Sequence, residues 1–242
     1  MTRSPDEQAF LDAYDPTAFE RPSVTVDVVL LTVLDGDLHV LLIRRDEHPC
    51  KGCWSLPGGF IRMTESLDEA AARVLNDKAH LQGVYAEQLY TFGAPRRDPR
   101  TRVLSVAYVA LVNAARLRPV EDDRIRLALL HVDWQGETGG PASASWHGQL
   151  LALAFDHADI LGLAVKRLRG KLDYAPVGFE LLPERFTLRD LQSVHETILG
   201  RKLNKDSFRR RMLASGRLSA VGEREEDADH RPAALYTFER SA

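Results

Sequence analysis

Residues 58–81 read GGFIRMTESLDEAAARVLNDKAHL, and this stretch determines how the first part of the chain folds. Its two leading glycines carry no side chain, so the backbone can turn there and approach a ligand closely. Ser66 and Glu69 have the spacing of a capping box, in which the hydroxyl and the carboxylate each accept a free amide at the start of a helix. An apolar stripe follows at helical spacing: Leu67, Ala70, Ala71, Val74, Leu75 and Ala79. The stretch therefore predicts a glycine turn followed by a capped helix that packs on a sheet.

Extended segments lie on both sides of this stretch. Residues 24–34 are rich in valine and leucine, and residues 38–43 return after the turn Asp35-Gly36-Asp37, which predicts a hairpin. The remaining segments are predicted as strands over 85–92, 103–112 and 126–132, a Gly, Ser and Ala-rich loop over 135–149, and a helix over 157–171. This order of strands and helices is typical of an α/β sandwich.

The composition is that of a globular protein with one large domain or two ordinary ones. The 242 residues are 44% hydrophobic and 28% charged, with a formal net charge of −3. No apolar run approaches the ~20 residues that a membrane span needs, and the charged start of the chain does not suit a secretory signal. We therefore expect a cytoplasmic protein with no membrane partner.

Two cysteines, Cys50 and Cys53, have the Cys-x-x-Cys spacing of half a zinc site. The sequence contains no second pair, and His48 is too close along the chain to be a typical further ligand. We therefore expect two ordinary thiols in a reducing compartment, with no metal site and no required cofactor.

The glycine and helix stretch, together with Trp54-Ser55-Leu56-Pro57 before it, resembles a Nudix box, and residues 20–172 resemble a Nudix domain. The resemblance implies an α/β/α sandwich whose helix presents glutamates to magnesium at a diphosphate. Those glutamate positions are held here by Val74, Asp77 and Lys78, and His80 replaces the glycine that ends the helix.

The three substituted positions present a charge of about zero to a cation, where three carboxylates would present about −3. One unit charge pair ~4 Å apart is worth roughly 4 kcal/mol at an effective dielectric of ~20, and a magnesium ion carries two charges. We therefore expect weak metal binding, no catalytic residues, and little or no hydrolysis.

A glycine pair before a capped helix is a suitable place for phosphate oxygens, so the stretch still predicts a binding pocket. The effector-binding residues that we predict are Gly58, Gly59, Phe60, Glu65, Arg73, Asp77 and Arg45. Glu65 and Arg73 also have a purely local interpretation, in which Glu65 flanks the helix cap and Arg73 pairs with Glu69 or Asp77.

The last part of the chain has the element order of a winged helix. Thr187 caps a helix that Gly200 ends, and Asn204 caps a second helix that buries Phe208 and Met212. Two strands follow, over residues 217–221 and 234–238. The predicted organisation is an arm over 1–19, a degenerate Nudix domain over 20–172, a linker over 173–183 and a winged helix-turn-helix domain over 184–242.

The second helix and its surroundings are rich in arginine and lysine. In a winged helix this helix enters the major groove, and the wing contacts the phosphate backbone. The DNA-binding residues that we predict are Lys205, Ser207, Arg209, Arg210, Arg211, Arg217, His230 and Arg231. The alternative is a solvated helix face, and the acidic run over 223–229 must point away from the duplex if the DNA-binding interpretation is right.

The whole chain resembles the NrtR family, the Nudix-related transcriptional regulators of NAD metabolism. The resemblance is carried by residues 21–27, 87–93, 97–100, 186–192 and 230–233. It implies a homodimeric repressor that binds palindromic operators of NAD biosynthesis or salvage genes and is released by ADP-ribose or a related metabolite. Two alternatives stay open: a residual magnesium-dependent hydrolase of ADP-ribose using Glu65, Asp77 and the base Glu137, and a sugar-responsive regulator of the same architecture.

Overall fold

The computed structural model describes residues 3–117, 122–225 and 232–239. Its strands are β1 (Ser23–Leu34), β2 (Asp37–Arg44), β3 (Trp54–Ser55), β4 (Gly58–Phe60), β5 (Tyr85–Phe92), β6 (Val103–Leu111), β7 (Ile125–His131), β8 (Ser143–Trp146), β9 (Gln149–Leu150), β10 (Phe186–Thr187), β11 (Leu218–Arg224) and β12 (Ala234–Phe238). Its helices are α1 (Pro5–Ala13), α2 (Leu67–Ala79), α3 (His157–Lys171), α4 (Leu188–Leu199) and α5 (Lys205–Ala214), with 3-10 turns at Ala114–Arg116 and Pro176–Leu181.

The first domain is a mixed sheet in the order β5-β6-β1-β2-β7-β8-β9, with β3 added to β2 and β4 added to β1. Alternate side chains of the central strand face opposite layers. Val26 and Val28 pack in the cluster with α2, whereas Val29 and Leu31 pack in the cluster with α3. The predicted α/β/α sandwich is confirmed.

The prediction of a loop over residues 135–149 is wrong in its second half. There β8 pairs with β7, so that Ala144 lies opposite Leu130, and β9 follows it. Ala142 and Ala144 are buried in the same cluster as Ile160 of α3. Small side chains leave room for the helix, and the segment therefore lacks the branched residues that mark a strand in the sequence.

The second domain has the predicted winged helix-turn-helix fold. Strand β10 leads into α4, α5 follows, and β12 pairs with both β10 and β11 in a small sheet. Thr187 caps α4 in a capping box with Asp190, and Gly200 ends α4 in the left-handed conformation with φ 67°. The side chain of Asn204 accepts the Ser207 amide at the start of α5. The local signals in the sequence thus set both helices.

The segment between the domains is buried. Val177 and Phe179 of the Pro176–Leu181 turn lie in one hydrophobic cluster that contains Leu31 of β1 and Leu191 of α4. In contrast, α1 has no buried residue and is held locally by the Ser4 cap. The two domains therefore share a continuous core, which an exposed flexible linker would not provide.

Candidate functional site

The glycine turn is required by a close approach between two strands. Strand β4 pairs with β1 at Thr25–Asp27, so Gly58 lies opposite Asp27. A Cβ at Gly58 would lie 2.9 Å from the Val26 carbonyl oxygen and closer still to Oδ1 of Asp27. Only glycine leaves room there for the carboxylate, which fixes its position.

The helix that follows is capped as predicted. The Ser66 hydroxyl accepts the Glu69 amide at 3.2 Å, and the Glu69 carboxylate accepts the Ser66 amide at 2.7 Å. At the other end His80 adopts the left-handed conformation with φ 54°. The backbone at position 80 thus has the conformation that glycine adopts at many helix ends, although the residue is histidine.

Arg73 pairs with Glu65. The local interpretation had predicted Glu69 or Asp77 as its partner. The Arg73 guanidinium binds both Glu65 carboxylate oxygens at 2.5 and 2.8 Å and also donates to the Phe60 carbonyl at 3.1 Å. The hydrogen bonds from Arg73 lower the pKa of Glu65 to about 2. Glu65 is therefore an ionised carboxylate engaged in holding β4 against α2.

The family's glutamate positions do not form a ligand set in this chain. Val74 is buried in the core, whereas Asp77 and Lys78 are exposed to solvent. Asp77 lines a separate depression beside His80 and Arg116. The described residues contain no group of three or more His, Cys, Asp and Glu side chains that could hold a metal ion. The residues at these three positions do not fit a magnesium site, and the structure does not bring Asp77 into the cavity beside the glycine turn.

A cavity of about 240 Å³ lies beside β4 and β1. It is bounded by the segment after β2, the loop before β6 and the start of α3. Four of the predicted effector-binding residues line it: Arg45, Gly58, Gly59 and Phe60. Glu65 and Arg73 are not lining residues, and they act from behind by holding the Phe60 backbone. We refer to this cavity as the pocket.

The floor of the pocket is an ion-pair network that the sequence analysis missed. Arg97 binds both oxygens of Asp156 at 2.6 and 2.8 Å, and Asp27 lies 3.7 Å from the same guanidinium. Ser105 donates a hydrogen bond to Asp27. Arg97 and Asp27 both belong to stretches that carry the family resemblance, over 97–100 and 21–27, but neither was selected as a site residue.

His157 closes the network at the first residue of α3. Its Nδ1 accepts the Leu56 amide at 3.0 Å, and its Nε2 lies 3.9 Å from Oδ1 of Asp27. Burial lowers the pKa of His157, which favours the neutral ring. Because Nδ1 is an acceptor, the neutral ring carries its proton on Nε2 and directs it toward the Asp27 carboxylate.

The rim of the pocket pairs arginines with aromatic rings. The Arg45 guanidinium lies 4.9 Å from the centre of the Phe155 ring, and that of Arg100 lies 5.8 Å from the centre of the Phe60 ring. Asp98 binds Arg100 at 2.7 Å, which holds the pKa of this carboxyl below its usual range. Arginines and exposed aromatic faces can bind phosphate groups and planar rings, so this chemistry suits a nucleotide ligand.

The predicted DNA-binding residues divide into two groups around α5. Lys205, Ser207, Arg209 and Arg210 are exposed on the helix. Arg211 instead binds Asp173 at 2.8 Å, and Arg217 donates to the Tyr174 carbonyl at 2.7 Å, so both face the segment after α3. His230 and Arg231 lie outside the described residues, as do residues 226–229 of the acidic run.

A groove of about 410 Å³ runs between α4, α5 and the start of β12. Lys205 and Arg209 line it, together with Arg189 and Lys202, which the sequence analysis did not select. Glu196 fixes the turn between the helices, since it binds Lys202 at 2.8 Å and accepts the Leu203 amide at 3.0 Å. The groove thus adds basic side chains from α4 and the turn to those of α5.

A helix long and apolar enough to cross a membrane does not occur in the described parts of the chain.

Two family models match the chain. The model described as the NUDIX domain matches residues 23–135, and the model described as the NrtR DNA-binding winged helix domain matches residues 178–238. A curated relative from Acinetobacter baylyi, named ADPR responsive transcriptional repressor NtrR, is 37% identical over 235 residues, which cover 96% of this chain and 88% of the relative.

Two solved structures from Shewanella oneidensis are also similar. One is NrtR complexed with a 27mer DNA, with 34% identity, a TM-score of 0.75, and coverage of 89% of this chain and 93% of the other. The second is the NUDIX domain of NrtR complexed with ADP ribose, with 32% identity, a TM-score of 0.52, and coverage of 67% of this chain and 98% of the other. The similarity extends over both the sandwich and the winged helix.

Proposed function

Because the chain belongs to the NrtR family of transcriptional repressors, we propose that it is a DNA-binding repressor of NAD biosynthesis or salvage genes. ADP-ribose or a related NAD metabolite binds in the pocket and releases the protein from its operator. The observation that carries the proposal is that an arginine-rich pocket and a capped basic helix lie on one continuous core. The repressor is a homodimer that acts in the cytoplasm on palindromic operators, because two-fold related recognition helices match two half-sites.

The recognition surface in this proposal consists of Lys205, Ser207, Arg209 and Arg210 on α5, with Arg189 and Lys202 from the adjoining groove. All but Ser207 carry a positive charge, which favours contact with phosphates. Arg211 and Arg217 instead make contacts within the protein, since they bind Asp173 and Tyr174 of the segment after α3. This division supports a duplex lying along the groove side of α5.

Ligand release follows from linkage between two binding equilibria. A ligand lowers operator affinity only by as much as it prefers the arrangement that does not bind DNA. A hundredfold loss of operator affinity would need about 2.7 kcal/mol of such preference. The pocket is formed by residues that also contact α3, and α3 reaches the winged helix, so the two sites are structurally connected.

The test is a fluorescence anisotropy titration of the full chain on a labelled duplex from upstream of NAD genes, at one fixed salt concentration. We expect saturating ADP-ribose to raise the dissociation constant for the duplex about tenfold or more. A pentose at the same concentration is the control, and an effect of the pentose alone would favour a sugar-responsive regulator. Unchanged operator binding at saturating ADP-ribose would contradict the proposal.

We also propose that the protein does not hydrolyse its ligand. Val74 is buried, Lys78 brings a positive charge, and Glu65 is engaged by Arg73, so the described part of the chain presents no carboxylate cluster for magnesium. The measurement is AMP release from ADP-ribose with and without Mg²⁺, in the wild type and in the Lys78→Glu variant. Magnesium-dependent turnover by the wild type would favour the residual hydrolase.

A further inference from the structure

Helix α3 connects the pocket with the winged helix. Phe155, Asp156 and His157 at its start bound the pocket or its floor, and Arg169 near its end contacts α4. Twelve helical residues rise by about 18 Å at 1.5 Å per residue. A single rigid element thus has one end in the ligand site and the other on the DNA-binding domain.

The first end of α3 is held by hydrogen bonds from Arg97 and Leu56, which lie where a bound nucleotide would contact them. Asp156 takes both hydrogen bonds from Arg97, and His157 accepts the Leu56 amide just before the glycine turn. A phosphate group that binds Arg97 competes with Asp156 for the same donors. Occupancy of the pocket therefore changes the contacts that position the start of α3.

The second end of α3 is held by Arg169, whose guanidinium binds three carbonyl oxygens on two segments. It donates to Ile198 at 2.8 Å, to Trp134 at 3.1 Å and to Gly136 at 3.1 Å. The Ile198 carbonyl belongs to the last turn of α4, where backbone acceptors lack helical partners and attract positive charge. A planar donor shared among three fixed acceptors tolerates little displacement.

The middle of α3 is closely packed, so its ends move together. A Cβ at Gly162 would overlap the Gly140 carbonyl oxygen, and the Ala142 amide donates to the Ala158 carbonyl at 2.9 Å. The loop that carries Trp134 and Gly136 therefore follows the helix. The Ile198 contact, by contrast, crosses to the winged helix.

We propose that Arg169 is the positioning residue through which occupancy of the pocket is coupled to operator binding. The inference rests on the proposed function, because it assigns a route to the release of DNA by ADP-ribose. A shift of α3 that follows loss of the Arg97–Asp156 contact moves Arg169 away from Ile198. The orientation of α4, and of α5 next to it, then no longer matches the operator.

The experiment measures the coupling factor, defined as the operator dissociation constant at saturating ADP-ribose divided by that without ligand. In Arg169→Met we expect this factor to fall about fivefold or more, while the dissociation constant for ADP-ribose itself changes less than about threefold. Arg167→Met is the matched control, because Arg167 is also on α3 but donates to the Leu89 carbonyl of the first domain at 3.4 Å.

Two outcomes separate the inference from the proposed function. A wild-type coupling factor of one would refute both. A large wild-type factor that survives Arg169→Met, or that falls equally in Arg167→Met, would refute the role of Arg169 alone.

A second measurement covers the case in which Arg169→Met does not fold. The Arg169 guanidinium lies 4.7 Å from the centre of the Trp134 ring, so a displacement of Arg169 changes the fluorescence of that tryptophan. We expect ADP-ribose to change the emission of the wild type more than that of Trp134→Phe, in which Trp54 and Trp146 remain. An identical change in both proteins would overturn the inference.

Discussion

In the floor of the pocket, the side chains of Asp27 and Arg97 are buried, that of Asp156 is half-buried, and both carboxylates lie beside Arg97. Arg209 and Arg210 on α5 are instead exposed to solvent without a charged partner among the described residues. Buried charges need partners because the interior does not solvate them, and the resulting network is rigid. Exposed charges remain hydrated and can exchange counterions for a polyanion. The pocket therefore presents paired charges in fixed positions, whereas α5 presents hydrated charges at the protein surface.

The largest effect is expected from removing Arg97, the cation of the network in the pocket floor. Arg97→Met leaves Asp27 and Asp156 without their shared cation, so we expect a loss of about 3–5 kcal/mol in the free energy of unfolding. Urea denaturation measures it, with Arg124→Met as control. Arg124 binds Asp122 in a similar geometry but is exposed, so its removal should cost no more than about 1 kcal/mol. Equal losses in the two variants would show that burial does not set the difference.

Removing two charges from α5 tests the exposed side. In Arg209→Ala with Arg210→Ala, we expect operator affinity to fall about tenfold or more, which corresponds to at least about 1.4 kcal/mol. The slope of log affinity against log salt should fall by about 2, and ADP-ribose affinity should stay unchanged. Anisotropy titrations at several salt concentrations measure both quantities. An unchanged salt slope would indicate that these arginines are only a solvated face.

His195 allows the comparison to be tested by pH. It is buried beside Phe208 under α5, and burial, with a further contribution from Arg211, lowers its pKa to about 4, while Asp173 acts in the opposite sense. The unfolded chain takes up a proton near pH 6.5 and the folded chain only near pH 4, so the stabilising contribution is complete above pH 6.5 and declines as the pH falls toward 4.

Between pH 7 and pH 5 this group should account for about 2 kcal/mol of lost stability. Denaturant unfolding at both pH values measures the loss, and His195→Phe should remove that part of it. The exposed His147, changed to Gln, is the control. The buried His157 is present in all three proteins and cancels. A pH dependence that persists unchanged in His195→Phe would contradict the assignment.

The smallest expected effect comes from removing the side chain that caps the start of α5. Asn204 accepts the Ser207 amide at 3.0 Å, and Asn204→Ala should cost about 1 kcal/mol of unfolding free energy. Thermal denaturation measures the change. Operator affinity should fall only slightly, because the basic side chains remain. A loss as large as that of the double arginine variant would show that helix geometry outweighs charge.

Local signals in the sequence predicted most of the fold. The capping boxes at Ser66 and Thr187, the glycine at position 200 and the helix over His157–Lys171 depend on neighbouring residues, and the structure has them where the spacing indicates. Strand β8 was missed because its buried positions hold the small residues Ala144 and Ser145. A small residue signals a close tertiary contact only after the contacting helix is known.

The site was predicted less completely, because its floor joins residues far apart in the sequence. Asp27, Arg97 and Asp156 come from a strand, a loop and a helix start, and no local spacing relates them. Gly58, Gly59 and Phe60 were selected from the motif and Arg45 from outside it, and all four line the pocket. Asp77 was selected from the family resemblance and its helical spacing, which give a face of the helix but not what that face contacts.

Val74, at one of the family's glutamate positions, is closely packed beside the glycine turn. Its side chain is 1% exposed, and one of its methyl groups lies 3.8 Å from where a Cβ at Gly59 would be. Returning this position to glutamate would place a carboxylate in a close-packed apolar cluster, where its ionised form is strongly disfavoured. The residues around Val74 would therefore have to repack before a carboxylate at this position could bind a cation.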